Sequence, residues 1–234
     1  MNSQPLSSSW SNLFAEQTSD PFEAFLTQQK EPWRVLETLP SQLERLGSSQ
    51  SLSDLQARYP GVTFAPDGWY ALAEDVRIEP GVYLSGRIVA RSGAEIRHGA
   101  YLRSAVYLGR EAVVGHASEV KNSILLSRAA AAHFNYVGDS IVGERVNLGA
   151  GAICANLRLD EAPVRLRWCE QVIHTGSRKL GALIGADCQV GCHAVLSPGT
   201  ILGRNVWIGP GCSVRGTVDA GTRLLGQERA YVAS

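Results

Sequence analysis

A six-residue period constrains this chain more than any other feature. Aliphatic or small residues recur at Leu72, Ile78, Leu84, Ala90, Ile96, Leu102, Leu108, Val114 and Val120 and continue to Leu126 and Ala132. After two five-residue steps, through Val137 to Val142, the period resumes at Leu148 and Cys154. It returns at Ile184, Val190, Leu196, Leu202, Ile208 and Val214. Such a period is neither helical nor the alternation of a plain strand. It is the period of a parallel β-helix, in which each hexapeptide is a short strand plus a turn and three make one triangular coil. Glycine follows the first position in many units, among them Gly109, Gly115, Gly143, Gly185 and Gly203, where the chain must turn a corner. About twenty-one units give about seven coils, stacked about 4.8 Å apart. A β-sandwich with Gly-rich turns is the alternative, and so many in-phase positions argue against it.

The expected fold is therefore an all-β solenoid over residues 71–218, with residues 219–234 closing the last coil. Residues 1–70 lie outside the period. Residues 1–20 are rich in Ser, Asn and Gln and read as disordered or loosely packed. Asp20-Pro21-Phe22 then reads as an N-cap followed by Pro at the first helical position. Helical spacing continues around Trp33 to Leu39, a third short helix is suggested by Leu43 and Leu46, and another spans Ser53 to Arg58. This small helical arm should cap the first coil or pack on a neighbouring subunit, because an open solenoid end exposes strand edges and core. Residues 157–183 also leave the period. Alternation in Val164-Arg165-Leu166-Arg167-Trp168, then Val172-Ile173-His174, predicts a projecting hairpin or long loop. Either ligand binding or subunit packing would suit it.

Lysine plus arginine and aspartate plus glutamate both number 22, so no basic footprint argues for nucleic acid and no polybasic run for a membrane surface. No signal peptide or long apolar segment is visible, and the expected location is cytoplasmic. Cys154, Cys188 and Cys212 fall on inward positions and read as small buried hydrophobes; Cys188 and Cys192 lack a second pair for zinc, so no metal is expected.

Polar residues interrupt the repeat between Leu102 and Asn156. Arg103 and Lys121 are one coil apart and should stack on one face, where two like charges about 5 Å apart call for an anion such as phosphate. His133 follows at an equivalent register and could serve as a general base. His98 and His116 are also one coil apart and could stack.

The runs Glu119-Val120-Lys121-Asn122-Ser123, Ala132 to Asp139, Val146 to Gly151, and Asn156 resemble the acetyltransferase domain of the bifunctional N-acetylglucosamine-1-phosphate uridylyltransferase/glucosamine-1-phosphate acetyltransferases. The resemblance covers residues 82–218, and the Arg178-Lys179-Leu180-Gly181 insert is similar to the longer loop of archaeal-type relatives. It implies a left-handed β-helix and a homotrimer with shared sites. It implies acetyl-CoA as co-substrate and an amino-sugar phosphate as acceptor. His133 matches the base that deprotonates the sugar amine, and Glu119 matches a carboxylate that would orient it. Arg103, Lys121, Tyr136, Asn147 and Lys179 match the sugar-phosphate site. Ala150, Asn156, Cys192 and Pro210 match the acetyl-CoA side, and Tyr136 or a backbone N–H near Ala150 could supply the oxyanion donor. The chain departs from the bacterial pattern at Leu157, Cys192 and Pro210, which leaves the acyl donor open. Residues 1–70 hold no Gly-rich nucleotide-binding loop, so the uridylyltransferase half is expected to be absent, either a separate partner chain or unnecessary. A different amino sugar or acyl donor, and a non-catalytic sugar-nucleotide scaffold, are the competing readings.

Overall fold

The computed structural model describes residues 10–14, 18–169, 171–226 and 230–231. The repeat winds into a three-faced parallel β-helix, as the period requires. The first face stacks, among others, Tyr83–Leu84, the start of Tyr101–Leu108, the start of Glu119–Leu125, Tyr136–Gly138 and Ile153–Cys154. The second stacks Trp69–Leu72, Arg87–Ala90, the later halves of those two long strands, Ile141–Val142, Leu183–Ile184 and Ile201–Leu202. The third runs from Arg77–Ile78 through Val113–His116, Ala130–His133 and Asn147–Leu148 to Arg223–Leu224. There are about nine turns where the period suggests about seven, because Thr63–Phe64 already pairs with Tyr83–Leu84 and Arg223–Leu224 still pairs with Trp207–Ile208.

Inward side chains form one continuous core. It contains Leu84, Ala90, Ile96, Leu102, Leu108, Val114 and Val120 as the period requires, then Leu125 and Ala131 instead of Leu126 and Ala132. The first five-residue step therefore falls between Val120 and Leu125, and the second between Val137 and Val142. Both lie at the corner joining the first face to the second, where Asn122 and Asp139 adopt positive φ of 45°. Two buried serines make the tight corner possible. Ser123 Oγ donates to Lys121 O (2.8 Å) and accepts from Ser140 N (3.0 Å). Ser140 Oγ donates to Gly138 O (2.7 Å) and accepts from Ala182 N (3.0 Å). These hydroxyls satisfy backbone groups that a shortened corner would otherwise bury unpaired. The inward cysteines are buried, and burial pushes the thiols of Cys154 and Cys188 up to about 12, so they behave as hydrophobes rather than nucleophiles.

A second core lies outside the second face. Val89, Ala105, Tyr107, Ile124, Ile141, Leu183 and Ile201 point outward there and are fully covered. The N-terminal helices α1 (Pro21–Thr27) and α2 (Val35–Glu44) supply Phe22, Leu26, Leu36, Leu39 and Leu43 to cover them. Asp20 caps α1 as its sequence predicts, accepting from Phe22 N (2.8 Å) and Glu23 N (3.2 Å). Leu43 belongs to α2 rather than to a third helix, even though Pro40 lies inside it. The arm thus runs along one face of the solenoid and does more than cap its first coil. That cap is α3 (Leu52–Arg58), which places Leu55 at the core's open end while the Gln50 side chain bonds both Leu72 N and Leu72 O (3.1 Å each) like an added strand.

The insert is a hairpin, Arg165–Trp168 antiparallel to Gln171–His174. It does not project. Val164, Leu166 and Trp168 line one side of the first strand and are buried on the second face, with Trp10 stacked on Trp168 at 3.8 Å. Trp10, Leu13 and Phe14 are accordingly packed, which corrects the expectation of a loose segment there; residues 1–9 and 15–17 lie outside the described residues.

Candidate functional site

The first and third faces carry the polar residues. On the first, backbone register sets Glu119 between Tyr101 and Tyr136, and Arg103 beside Lys121, which is beside Gly138. Arg103 and Lys121 do stack, but each already has a carboxylate. Arg103 Nε donates to Glu119 Oε1 (2.7 Å), and Lys121 Nζ donates to both oxygens of Asp139 (2.9 and 2.7 Å). Burial works to lower the Arg103 pKa, but the hydrogen bond and charge of Glu119, with Tyr136 and Tyr101, together raise it. Asp139 also accepts from Asn122 Nδ2 (3.0 Å) and from Asn156 Nδ2. Asn156 is thus joined to Lys121 through Asp139.

Gly138 makes room for this cluster. Where the two preceding coils project Arg103 and Lys121, it has no side chain, and a Cβ there would lie 2.7 Å from both Tyr136 Oη and Asn156 Nδ2. Burial, with help from Glu119 and Asp139, raises the Tyr136 pKa and keeps its hydroxyl a hydrogen-bond donor. Lys179 joins from the insert, exposed and bridged to Leu157 next to Asn156.

His133 is not at the register of Lys121. Because the coil is one residue short, Ala131 points inward and His133 falls at the corner between the third and first faces, in register with His116. Its side chain is exposed, and among the described residues its ring makes no hydrogen bond; Glu119 is engaged with Arg103 instead. The corner itself is held by the buried Asn135, whose Oδ1 accepts from His133 N (3.1 Å) and whose Nδ2 donates to Gly149 O (2.8 Å). One coil below, Gly151 N donates to His133 O (2.9 Å); His193 N then donates to Ala150 O (2.9 Å) and Gly211 N to Cys192 O (2.8 Å). His133, Ala150, Cys192 and Pro210 therefore form one column down this corner. His98 and His116 occupy the same column above, with rings 5.7 Å apart and stacked, and Phe134 packs edge-on against His116. Asn147 lies on the third face between Ala130 and Gln189, across the corner from Arg103 and Lys121. The sequence-derived set thus divides into a cation-rich first face, a His133 column on the corner, and Asn147 beyond it. Among the described residues no three His, Cys, Asp or Glu side chains gather as a metal site would.

Asp139, Asn122 and Ser123 lie in the runs that carry the resemblance, but the sequence alone assigns them no role. Asp139 follows Lys121 by the same interval that separates Lys121 from Arg103, and that spacing was the available signal.

Residues 84–167 match the family model of the GMPPB C-terminal domain. The bifunctional sugar-1-phosphate nucleotidylyltransferase/acetyltransferase of Sulfurisphaera tokodaii is 32% identical over 200 residues, spanning 86% of this chain and 49% of that protein. This chain is a relative of those bifunctional acetyltransferases. The bifunctional protein GlmU of Methanococcus aeolicus is 34% identical over 116 residues, 50% of this chain and 28% of that one. The chain spans about half or less of the length of these relatives. Among solved structures, the Arabidopsis UDP-N-acetylglucosamine acyltransferase matches at 11% identity and a TM-score of 0.35, over 71% of this chain and 70% of that one, a likeness too distant to bear on the chemistry.

Proposed function

We propose that this chain is an acyl-CoA-dependent N-acyltransferase that acetylates the amine of glucosamine-1-phosphate or a related amino-sugar phosphate or nucleotide. The observation that carries this reading is the single corner column in which the exposed His133 stands directly above Ala150, Cys192 and Pro210, beside a face bearing Arg103, Lys121 and Tyr136. In this reading acetyl-CoA lies along the column and the acceptor's phosphate meets the cations, with Asn147 and Lys179 contributing from the third face and the insert. His133 takes a proton from the amine as its nitrogen attacks the thioester carbonyl. The new C–N bond forms, the C–S bond breaks, and the proton passes to the departing thiolate. Tyr136, kept protonated, or a backbone N–H near Ala150 steadies the oxyanion. Holding both substrates together supplies much of the acceleration without a covalent intermediate.

The division of the site between two faces suits a homotrimer in which a neighbouring protomer completes it. A separate nucleotidyltransferase would supply or use the sugar phosphate, and the cytoplasm is the compartment where acetyl-CoA and sugar nucleotides meet. No helix among the described residues is long and apolar enough to cross a membrane.

One observation favours a second reading, a non-catalytic sugar-nucleotide scaffold: both cations are already paired, and among the described residues the His133 ring has no orienting partner. Thiol release from acetyl-CoA in the presence of glucosamine-1-phosphate tests the choice. Release that depends on the sugar supports the enzyme; ligand binding with no release supports the scaffold.

A further inference from the structure

Asp139 touches several residues of the candidate site at once and has been given no role. Its carboxylate is almost fully covered, with a side-chain exposure of 6% against 13% for Lys121. It accepts from Lys121 Nζ on both oxygens, from Asn122 Nδ2 at 3.0 Å and from Asn156 Nδ2. Its backbone is fixed as well: Asp139 N donates to Lys121 O (2.9 Å), and Asp139 O accepts from Gly181 N (2.8 Å), two residues beyond Lys179. One carboxylate therefore joins the cation proposed for the acceptor phosphate, the amide of Asn156, which the resemblance places on the acetyl-CoA side, and the insert.

We propose that Asp139 is a positioning residue that couples the acceptor subsite to the donor subsite. The inference rests on the acyltransferase reading for the roles of Lys121 and Asn156. An ammonium has three N–H donors, and two of those on Lys121 are committed to Asp139. A phosphate arriving at the third draws Lys121 outward and competes for its charge. Asn122 holds the carboxylate from the other side, so Asp139 stays and gives more of its accepting capacity to Asn156. The Asn156 amide, which also bonds the Tyr136 hydroxyl, is then fixed by Nδ2 on Asp139, and a fixed amide offers the donor a preset partner. Acceptor phosphate should therefore tighten donor binding, and linkage requires the converse.

The test uses the full chain with inorganic phosphate and coenzyme A as probes, followed by calorimetry. In the wild type, saturating phosphate should lower the Kd for coenzyme A roughly fivefold. Asp139→Asn keeps the shape and removes the charge, and two opposite changes are expected. Phosphate binds roughly tenfold tighter, because Lys121 is no longer neutralised, and the gain shrinks in ~1 M salt. At the same time the phosphate effect on coenzyme A disappears. General damage to the fold would weaken both ligands instead. Unchanged or weaker phosphate binding in Asp139→Asn, or coupling that survives it, overturns the proposal. Should that variant fail to fold, Lys121→Gln removes the other partner, and coupling that persists there overturns it equally. A wild type that transfers acetyl groups without coupling rejects this inference alone; a wild type that binds phosphate but neither binds coenzyme A nor releases its thiol rejects the acyltransferase reading.

Discussion

The second face and the first face share one core and differ only in what points away from it. On the second face the outward residues are Val89, Tyr107, Ile124, Ile141 and Ile201, and the chain's own helices and hairpin bury them. On the first face the outward residues are Tyr101, Arg103, Glu119, Lys121 and Tyr136, and the chain leaves them uncovered or partly covered. Inward residues specify a β-helix, and outward residues decide which wall is closed by the same chain and which stays open for ligand or another protomer. The lesson is that a solenoid's chemistry is written on the side chains its period does not need.

The largest effect should come from the corner of the open face. His133→Ala is expected to lower acetyl transfer by about 10²–10⁴-fold while leaving the melting temperature unchanged, since the ring is exposed. Turnover equal to wild type in a thiol-release assay would remove His133 from the mechanism. Next is a matched pair of isoleucines. Ile141→Ala on the closed face should cost about 2–5 kcal/mol by urea unfolding, because the side chain is fully buried between the helix and the arm. Ile153→Ala on the first face, 38% exposed, should fall within about 0.5 kcal/mol. Equal costs would show that the first face is covered too, as a trimer would cover it.

The smallest effect concerns the clasp between arm and solenoid. Glu23 is buried and accepts from Ser127 N (3.0 Å), Ser127 Oγ (2.8 Å) and Thr18 Oγ1 (2.9 Å). Burial raises its pKa, with Asp20 and Glu144 adding to the rise and the bonds from Ser127 and Thr18 opposing it. The protonated form is therefore favoured by folding. Its contribution is complete below the ordinary value of 4.5 and is lost as pH rises through the folded value. Glu23→Gln should flatten the melting temperature between about pH 4 and pH 8, mostly by raising it at the upper end. Parallel profiles for the two proteins would show that the clasp carries no proton linkage.

Much of this was legible in sequence, and the losses have physical causes. Inward positions were read correctly up to Val120. The reading then slipped by one, because Ile124-Leu125-Leu126 and Ala130-Ala131-Ala132 offer apolar or small residues at every position. A strand buried on both sides reads as a continuous apolar run. The Ile124-Leu125-Leu126 run, with Ile88-Val89-Ala90 and Leu183-Ile184, held the signal that a second layer covers the second face. Ser123 was invisible to an apolar period although it is fully buried, since its hydroxyl serves the backbone of a shortened corner. The slip moved His133 from the wall of Lys121 to the neighbouring corner. Arg103 and Lys121 were rightly stacked, but their carboxylate partners were missed because charge pairing across coils depends on which residue the short step turns outward.

Pro40 has no N–H to offer Leu36 O, and the Asn122 amide donates to that oxygen instead, at 3.3 Å. The same Nδ2 reaches Asp139. A defect in one helix is thereby stitched to the residue that holds Lys121. Trimming the arm to obtain a minimal catalyst would unpick that stitch along with the helix. An inactive trimmed protein would then be no proof that the arm ever meets a substrate.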